Sequence, residues 1–316
     1  MPTARPQVAA DSEKSPSVSV GLPTYNRARS LKRAIESVLA QDYPNLELVI
    51  SDNASSDRTQ AMCQEYAARD ARVRYIRQPS NRGALTNFQA VLDAADGHYF
   101  MWLGDDDWLQ DSYVTGCVKT LLAQPEMSLV SGVARYFDGE RLVFEGVRMN
   151  LLQESPADRV TGFYEQVSDN GTFYGISQRA LLAALPTSNR IGSDWFLIAA
   201  LALKGKILTL DNVVVSRAHD GVSSDLGSLA LKSGLSKQKA LRPYQAIARN
   251  AFRDIMHESP AFAELSVVSR VAIAAKVMRI FYRRFIVNEH PWVIRWSKLR
   301  YKLKLRTRIK RTLHIT

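Results

Sequence analysis

Gly104-Asp105-Asp106-Asp107 follows the apolar run Tyr99-Phe100-Met101-Trp102-Leu103, where a buried strand would emerge into solvent. Three adjacent carboxylates repel one another, so a fold tolerates them only where they are solvated, protonated or bound to a cation. Two readings of the cluster follow. The acids form a turn and a helix N-cap ahead of Trp108-Leu109, positions that suit Asp, or they offer hard oxygen ligands to a divalent metal. Further polar groups sit at comparable places: Asp52-Asn53 after the apolar run Leu46 to Ser51, Asp194 ahead of the apolar stretch from Trp195, and His219 in Ser216-Arg217-Ala218-His219-Asp220-Gly221. Each has a plain structural reading too: an Asx turn for Asp52-Asn53, an N-cap for Asp194, a structural role for a lone His. Cys63 and Cys117 fit no metal spacing and are expected as small buried residues in a reducing compartment.

The elements that must position these groups alternate. Val18 to Leu22 is expected as a strand, and Leu31, Ala34, Ile35, Val38 and Leu39 mark a helix stripe. Leu46 to Ser51 is a second strand, and a second helix capped by Ser55 or Ser56 runs to about Ala68. Val73 to Ile76, a helix from Thr86 to Ala95, and Tyr99 to Leu103 complete a βαβαβαβ layout. Helical crossovers give a mostly parallel sheet with ligands at the carboxyl ends of its strands, where all the polar loops fall. Neither a dinucleotide fingerprint nor a P-loop is present, which excludes the commonest oxidoreductase and triphosphatase classes. Beyond Trp108 the expectations are a helix from Val114 to Leu122 and a hairpin of Leu129 to Tyr136 with Arg141 to Phe144 about Asp138-Gly139. They continue with a substrate-facing loop from Met149 to Gln166, a strand from Thr172 to Ile176, a helix from Asp194 to Leu203, and strands from Ile207 to Val215 around Asp211-Asn212.

The net charge of +11 is concentrated at one end: thirteen Lys or Arg stand against Glu289 alone between Lys276 and Thr316. That distribution argues against a nucleic-acid footprint over the main domain and for a C-terminal segment that meets an anionic surface. Trp292, Trp296, Leu299 and Leu303 recur at helical spacing among basic residues, which suits a membrane headgroup interface. A helix packed on its own domain and an RNA-binding helix are the other readings. No apolar run reaches the roughly 18 residues of a membrane span. Residues 1–16 are polar and read as a disordered tail without a signal peptide's apolar centre. A catalytic domain is expected over 17–225, divided at about 110, with a helical basic region over 226–316.

The segments VSVGLPTYNRARSLKRAIESVLAQ, LELVISDNASSDRT and NRGALTNFQAVLDAADGHYFMWLGDDDWL, in this order between about residues 17 and 110, resemble the family 2 glycosyltransferases. The resemblance implies a GT-A fold, Rossmann-like α/β with a mostly parallel central sheet flanked by helices, here with a helical basic C-terminal extension. It implies that Pro23, Tyr25 and Arg27 line a base pocket and that Asp52 accepts a hydrogen bond from a pyrimidine N–H, a carboxylate being a pure acceptor. Asn53 stands where the family often carries a second acid. Asn81-Arg82-Gly83 matches the family's Asn-x-Gly turn, whose glycine permits a positive φ or a close donor approach. Arg82 either approaches the pyrophosphate or is a surface residue. In the family's acidic motif Gly104 falls on the first acid and Asp106 on the second. Asp106 is then the metal ligand, Asp105 supports the ribose or the metal, and Asp107 orients the loop or caps the next helix. Mg²⁺ or Mn²⁺ is the implied cofactor. Asp194 is the implied base, and His219 resembles an element that adds a metal or diphosphate contact. Trp102, Trp108 and Trp195 are core or acceptor-platform residues.

Together these imply an inverting, metal-dependent glycosyltransferase that moves a sugar from a nucleoside-diphosphate sugar, UDP- or dTDP-linked, to a saccharide hydroxyl. The implied acceptor is a lipid-linked intermediate of bacterial surface polysaccharide, O-antigen or capsule, and the implied location is cytoplasmic, peripheral at the inner face of the membrane, without nucleic acid. The alternatives are a nucleotidyltransferase acting on sugar phosphates and a non-catalytic sugar or nucleic-acid binding module.

Overall fold

The computed structural model describes residues 15–185, 190–219 and 236–287. Strands β1 (Val18–Thr24), β2 (Leu46–Asp52), β3 (Val73–Arg77) and β4 (Tyr99–Trp102) form one sheet with the two-residue β8 (Ser177–Gln178). Its order is β3-β2-β1-β4-β8, parallel throughout except for the antiparallel edge β8. The helices α1 (Leu31–Leu39), α2 (Thr59–Arg69) and α3 (Ala84–Ala94) supply the crossovers. Leu31, Ala34, Ile35 and Val38 of α1 are buried as their spacing requires. Asn87 of α3 ties the sheet's carboxyl edge together: its amide donates to the Thr24 and Ser51 carbonyls and its oxygen accepts from the Ser51 hydroxyl. That places the loops after β1 and β2 in a fixed relation.

A second sheet, β5-β9-β6-β7, is made of β5 (Trp108–Leu109), β6 (Met127–Asp138), β7 (Arg141–Glu145) and β9 (Lys206–Ala218). The hairpin of β6 and β7 forms about Asp138-Gly139 as expected. Helix α4 (Tyr113–Ala123) precedes it, and α5 (Pro156–Gln166), α6 (Arg179–Ala183) and α7 (Ser193–Lys204) follow.

Five expectations are corrected. No loop spans Met149 to Gln166, because Ser155 caps α5 by accepting the Asp158 N–H and Pro156 starts it. Val160, Phe163, Tyr164 and Val167 are its buried stripe. Thr172 to Ile176 is no strand: Gly171–Tyr174 is a 3₁₀ turn pressed on β6, where a Cβ at Gly171 would lie 2.4 Å from that of Ala134. β9 is one long strand paired parallel to β6, and Asp211-Asn212 falls at a bulge, where the register passes from Gly132–Leu210 to Val133–Val214, and not at a turn. Helix α2 starts at Thr59, because the Ser55 hydroxyl accepts the Asn26 N–H and Asp57 accepts that of Thr59. Asp107 caps no helix, since β5 follows it and pairs with β9.

The C-terminal helices α8 (Lys237–Ala240), α9 (Pro243–Arg253), α10 (Pro260–Ala263) and α11 (Val267–Phe281) pack on the rest of the fold. Ile247, Ala251, Phe262, Val277 and Phe281 share one core with α5, α7 and Trp102. Burial on this scale stabilises by roughly 1.5–3 kcal/mol for each large side chain. The boundary expected near residue 225, the first 14 residues and the Trp292 to Leu303 stripe lie outside the described residues. Among the described residues no helix is long and apolar enough to cross a membrane.

Candidate active site

The loops after β1 and β4 meet. Arg27 Nε lies 3.6 Å from Asp105 Oδ1 and its Nη2 4.0 Å from Asp106 Oδ2, so one guanidinium faces both acids. Their side chains are only 14% and 23% exposed, which decides how their charge is held. Burial pushes the Asp105 carboxyl up to about 7; the neighbouring Thr24 hydroxyl, which lies short of hydrogen-bond geometry, opposes that rise, Asp106 adds to it, and Arg27 opposes it. Asp106 is raised by burial and by Asp107, with Arg27 and Arg217 opposing. Two partly desolvated carboxylates with one cation between them are an oxygen donor set short of positive charge. Such a set fits a hard divalent ion that takes further ligands from phosphates.

Asp107 turns away from these two. It is buried, its Oδ1 accepts the Ala218 N–H, and its Oδ2 lies 3.2 Å from Arg217 Nε. This explains Gly104: a Cβ there would lie 2.6 Å from Asp107 Oδ2, so an acid has no room in that register. Arg217 is itself buried and also donates to the hydroxyls of Tyr136 and Tyr174 and to Asn170 Oδ1. Burial opposes its charge, yet Tyr174, Asp107 and Tyr136 outweigh it and hold the guanidinium above its ordinary range. The sequence drew attention to Arg217 only as the neighbour of His219 in one motif, and gave Asn170 and Tyr174 no role in the site.

Asp194 is half-buried in the first turn of α7, behind Gly192, whose φ of 88° is left-handed. Burial raises its carboxyl above the usual carboxylate range, against the Trp195 and Asp194 N–H groups, Arg217 and Asn170. Asn170, whose Oδ1 accepts from Arg217, also opposes the rise at Asp194, so it lies between the candidate base and the Arg217–Asp107 pair.

The other expected residues divide. Pro23 is buried within β1, while Tyr25, in the loop that follows it, is 43% exposed. The expectation for Asp52 is corrected. It has no exposed oxygen to offer a base, because Ser55 N–H holds Oδ1 while the Tyr75 hydroxyl and Arg77 hold Oδ2. Asn53 donates to Asn81 Oδ1 and the Gly83 carbonyl and accepts the Arg82 N–H, so it clamps the Asn-x-Gly turn. Gly83 has φ 87°, and the Arg82 side chain is exposed. A second acid at position 53 would lose both donated bonds, so Asn53→Asp is expected to cost about 1–3 kcal/mol, read as a lowered Tm. His219 does not join the acids: its exposed ring sits edge-on at 5.9 Å to Phe144, and no set of three metal-ligating side chains gathers among the described residues. Trp102 and Trp195 are packing residues, against Phe173 and Phe281 respectively, and Arg33 covers the Trp108 ring.

Comparison with known proteins decides the family. Residues 19–191 match the model of glycosyl transferase family 2. The chain belongs to that family. It is 37% identical over 140 residues to a GalNAc(5)-diNAcBac-PP-undecaprenol beta-1,3-glucosyltransferase of Campylobacter jejuni, covering 44% of this chain and 42% of the relative. It is 29% identical over 184 residues to the glycosyltransferase GlyG of Streptococcus pneumoniae, 56% of this chain and 51% of the relative. The chain thus spans about half or less of the curated relatives it matches. In fold it is similar to S. aureus TarS solved with UDP-GlcNAc, with TM-score 0.62, 16% identity, 86% of this chain and 74% of that one. It is also similar to the mannosyltransferase PcManGT of Pyrobaculum calidifontis solved with GDP-Man and Mn2+, with TM-score 0.54, 19% identity and coverage of 90% and 80%. At these identities the likeness is one of fold. The family 2 chain described here has the expected GT-A architecture, a parallel-rich sheet flanked by helices.

Proposed function

We propose that this family 2 chain is an inverting glycosyltransferase that moves a sugar from a nucleoside-diphosphate sugar, UDP- or dTDP-linked, to a hydroxyl of a lipid-linked saccharide. The observation that carries this reading is the convergence of Arg27, Asp105 and Asp106 at the carboxyl end of the sheet, beside the Asp107, Arg217 and Asn170 cluster whose charge also acts on Asp194. The base lies along the Pro23 to Arg27 loop, with Tyr25 exposed to it and Asp52 fixing the loop's neighbour at Ser55. Arg82, on the clamped turn, faces the diphosphate as a cation. Asp106 with Asp105 would hold Mg²⁺ or Mn²⁺, and the ion supplies Lewis-acid stabilisation of the leaving diphosphate.

Asp194 takes the proton of the acceptor hydroxyl as that oxygen attacks the anomeric carbon opposite the diphosphate; the C–O bond forms as the bond to the phosphate oxygen breaks. Asn170 and Arg217 beside Asp194 favour its ionised form. The undecaprenol-linked chemistry in the name of the C. jejuni relative supports a lipid-linked acceptor, and the basic C-terminal sequence supports work at the cytoplasmic face of a membrane.

Thermal stabilisation tests the donor site. One member of a panel of nucleotide-sugars raises Tm only with Mn²⁺ or Mg²⁺ present, and Asp106→Ala abolishes the shift. A panel without any shift, or a shift indifferent to both metal and Asp106, would sink the assignment.

A further inference from the structure

Helix α11 buries one side of itself and exposes another that is not the polar side of an ordinary surface helix. Ile273, Ala274, Val277, Ile280 and Phe281 pack into the core. On the opposite side Val268 is 80% exposed and Val271 50%, and Tyr282, one residue past the helix, is 63% exposed. Exposed apolar side chains at spacings of three, then eleven, along a helix make a strip, and a surface helix has no folding reason to carry one. Beside that strip, Lys276, Arg279 and Arg283 form a second exposed row.

The charge around the strip is one-sided. No Asp or Glu occurs between Glu264 and Glu289. Lys276 shares its charge with Asp158 of α5 at 3.6 Å, whereas Arg279 and Arg283 make no ion pair among the described residues. Glu165 and Asp158 lie across the groove between α5 and α11 and are the acids that face this row. The buried side of the same helix reaches α7: Phe281 and, just beyond it, Phe285 pack on Trp195 with ring centroids 6.2 and 5.6 Å away, and Trp195 follows the candidate base Asp194.

We propose that the exposed face of α11, with Val268, Val271 and Tyr282 entering the interface and Arg279 and Arg283 meeting the headgroups, docks the protein on an anionic phospholipid surface. An aromatic and two valines beside arginines match a headgroup boundary, in which apolar burial and charge attraction add. A second copy of this chain would place the same basic row against itself, which the charge disfavours. The inference rests on the reading of a lipid-linked acceptor, since docking here holds α7 and Asp194 at the membrane where such an acceptor lies.

Co-sedimentation of the full chain with phosphatidylcholine vesicles, with and without phosphatidylglycerol, tests it. Wild type is expected to bind the anionic vesicles and not the neutral ones. Arg279→Gln with Arg283→Gln lowers the partition by about 25-fold, roughly fivefold for each basic side chain. Val268→Asp with Val271→Asp lowers it on the order of tenfold by removing buried apolar area. Tm and nucleotide-sugar stabilisation stay at wild-type values in both variants, since these side chains lie on the surface.

Variants that bind like wild type would overturn the proposal, and so would wild type that binds neither vesicle or both equally. A wild type that is dimeric by sedimentation, made monomeric by Val268→Asp with Val271→Asp, would assign the strip to a second copy and overturn it as well. Failure of the donor reading appears separately, as absence of stabilisation by every nucleotide-sugar, and leaves the vesicle result standing.

Discussion

Asp194→Asn lowers kcat for sugar transfer by about 10² to 10⁴, while metal-dependent stabilisation by the donor is retained. The substitution keeps the volume and the helix-end hydrogen bonds but removes the basic oxygen that takes the acceptor proton. The pH profile adds a signature that a structural role would not produce. Burial raises the Asp194 carboxyl above its ordinary range, against the helix N–H groups, Arg217 and Asn170. The ionised form is the active one, so kcat falls as pH drops through this raised value, and the acid limb lies above the ordinary carboxylate pKa of about 4. Asp194→Asn erases that limb. For stability the sign is opposite, because a raised native pKa favours the protonated fold. That contribution is present below the unfolded carboxylate's pKa and is lost as pH rises through the native one. Above neutrality the Asn variant therefore melts no lower than wild type. An unchanged kcat would remove Asp194 from the mechanism.

Arg217→Met destabilises the fold by about 3–5 kcal/mol, the usual cost of removing one partner from a buried ion pair. The residue left behind is Asp107, whose side chain is 1% exposed, with the Tyr136 and Tyr174 hydroxyls and Asn170 losing a donor as well. Denaturant unfolding measures this as a fall in midpoint at constant m. Combining Arg217→Met with Asp107→Asn recovers part of the loss, because the second change removes the unpaired charge. Activity of the folded single variant falls too, since Asp194 then loses the nearby cation that favours its ionised form. A loss below about 1 kcal/mol, the scale of an exposed pair, would show that the buried pair is not the hub described.

The first half of the fold was legible because each element there is amphipathic in its own period. The stripe Leu31, Ala34, Ile35 and Val38 faces the sheet, and every polar loop lies at a strand's carboxyl end. The meeting of Arg27 with Asp105 and Asp106 follows from that topology, since β1 and β4 are neighbours. Helix α5 was also present in the sequence as the spacing of Val160, Phe163, Tyr164 and Val167, hidden by the polar residues between them. The hub at Arg217 was not legible. Its partners come from three separate segments, Asp107, Tyr136, and the turn holding Asn170 and Tyr174, and one arginine among many carries no local mark of burial. Asp52 failed for a similar reason: its position at a strand end was right, but the groups that occupy it, Tyr75 and Arg77, come from the neighbouring strand.

The most direct test of the central claim is the anomeric configuration of the sugar released when the full chain slowly hydrolyses its donor with divalent metal, followed by ¹H NMR before the anomers equilibrate. Water then takes the acceptor's place beside Asp194, and single displacement predicts that an α-linked donor gives the β-anomer first, with Asp194→Asn suppressing its formation. First appearance of the α-anomer, or release undiminished in Asp194→Asn, would contradict the account.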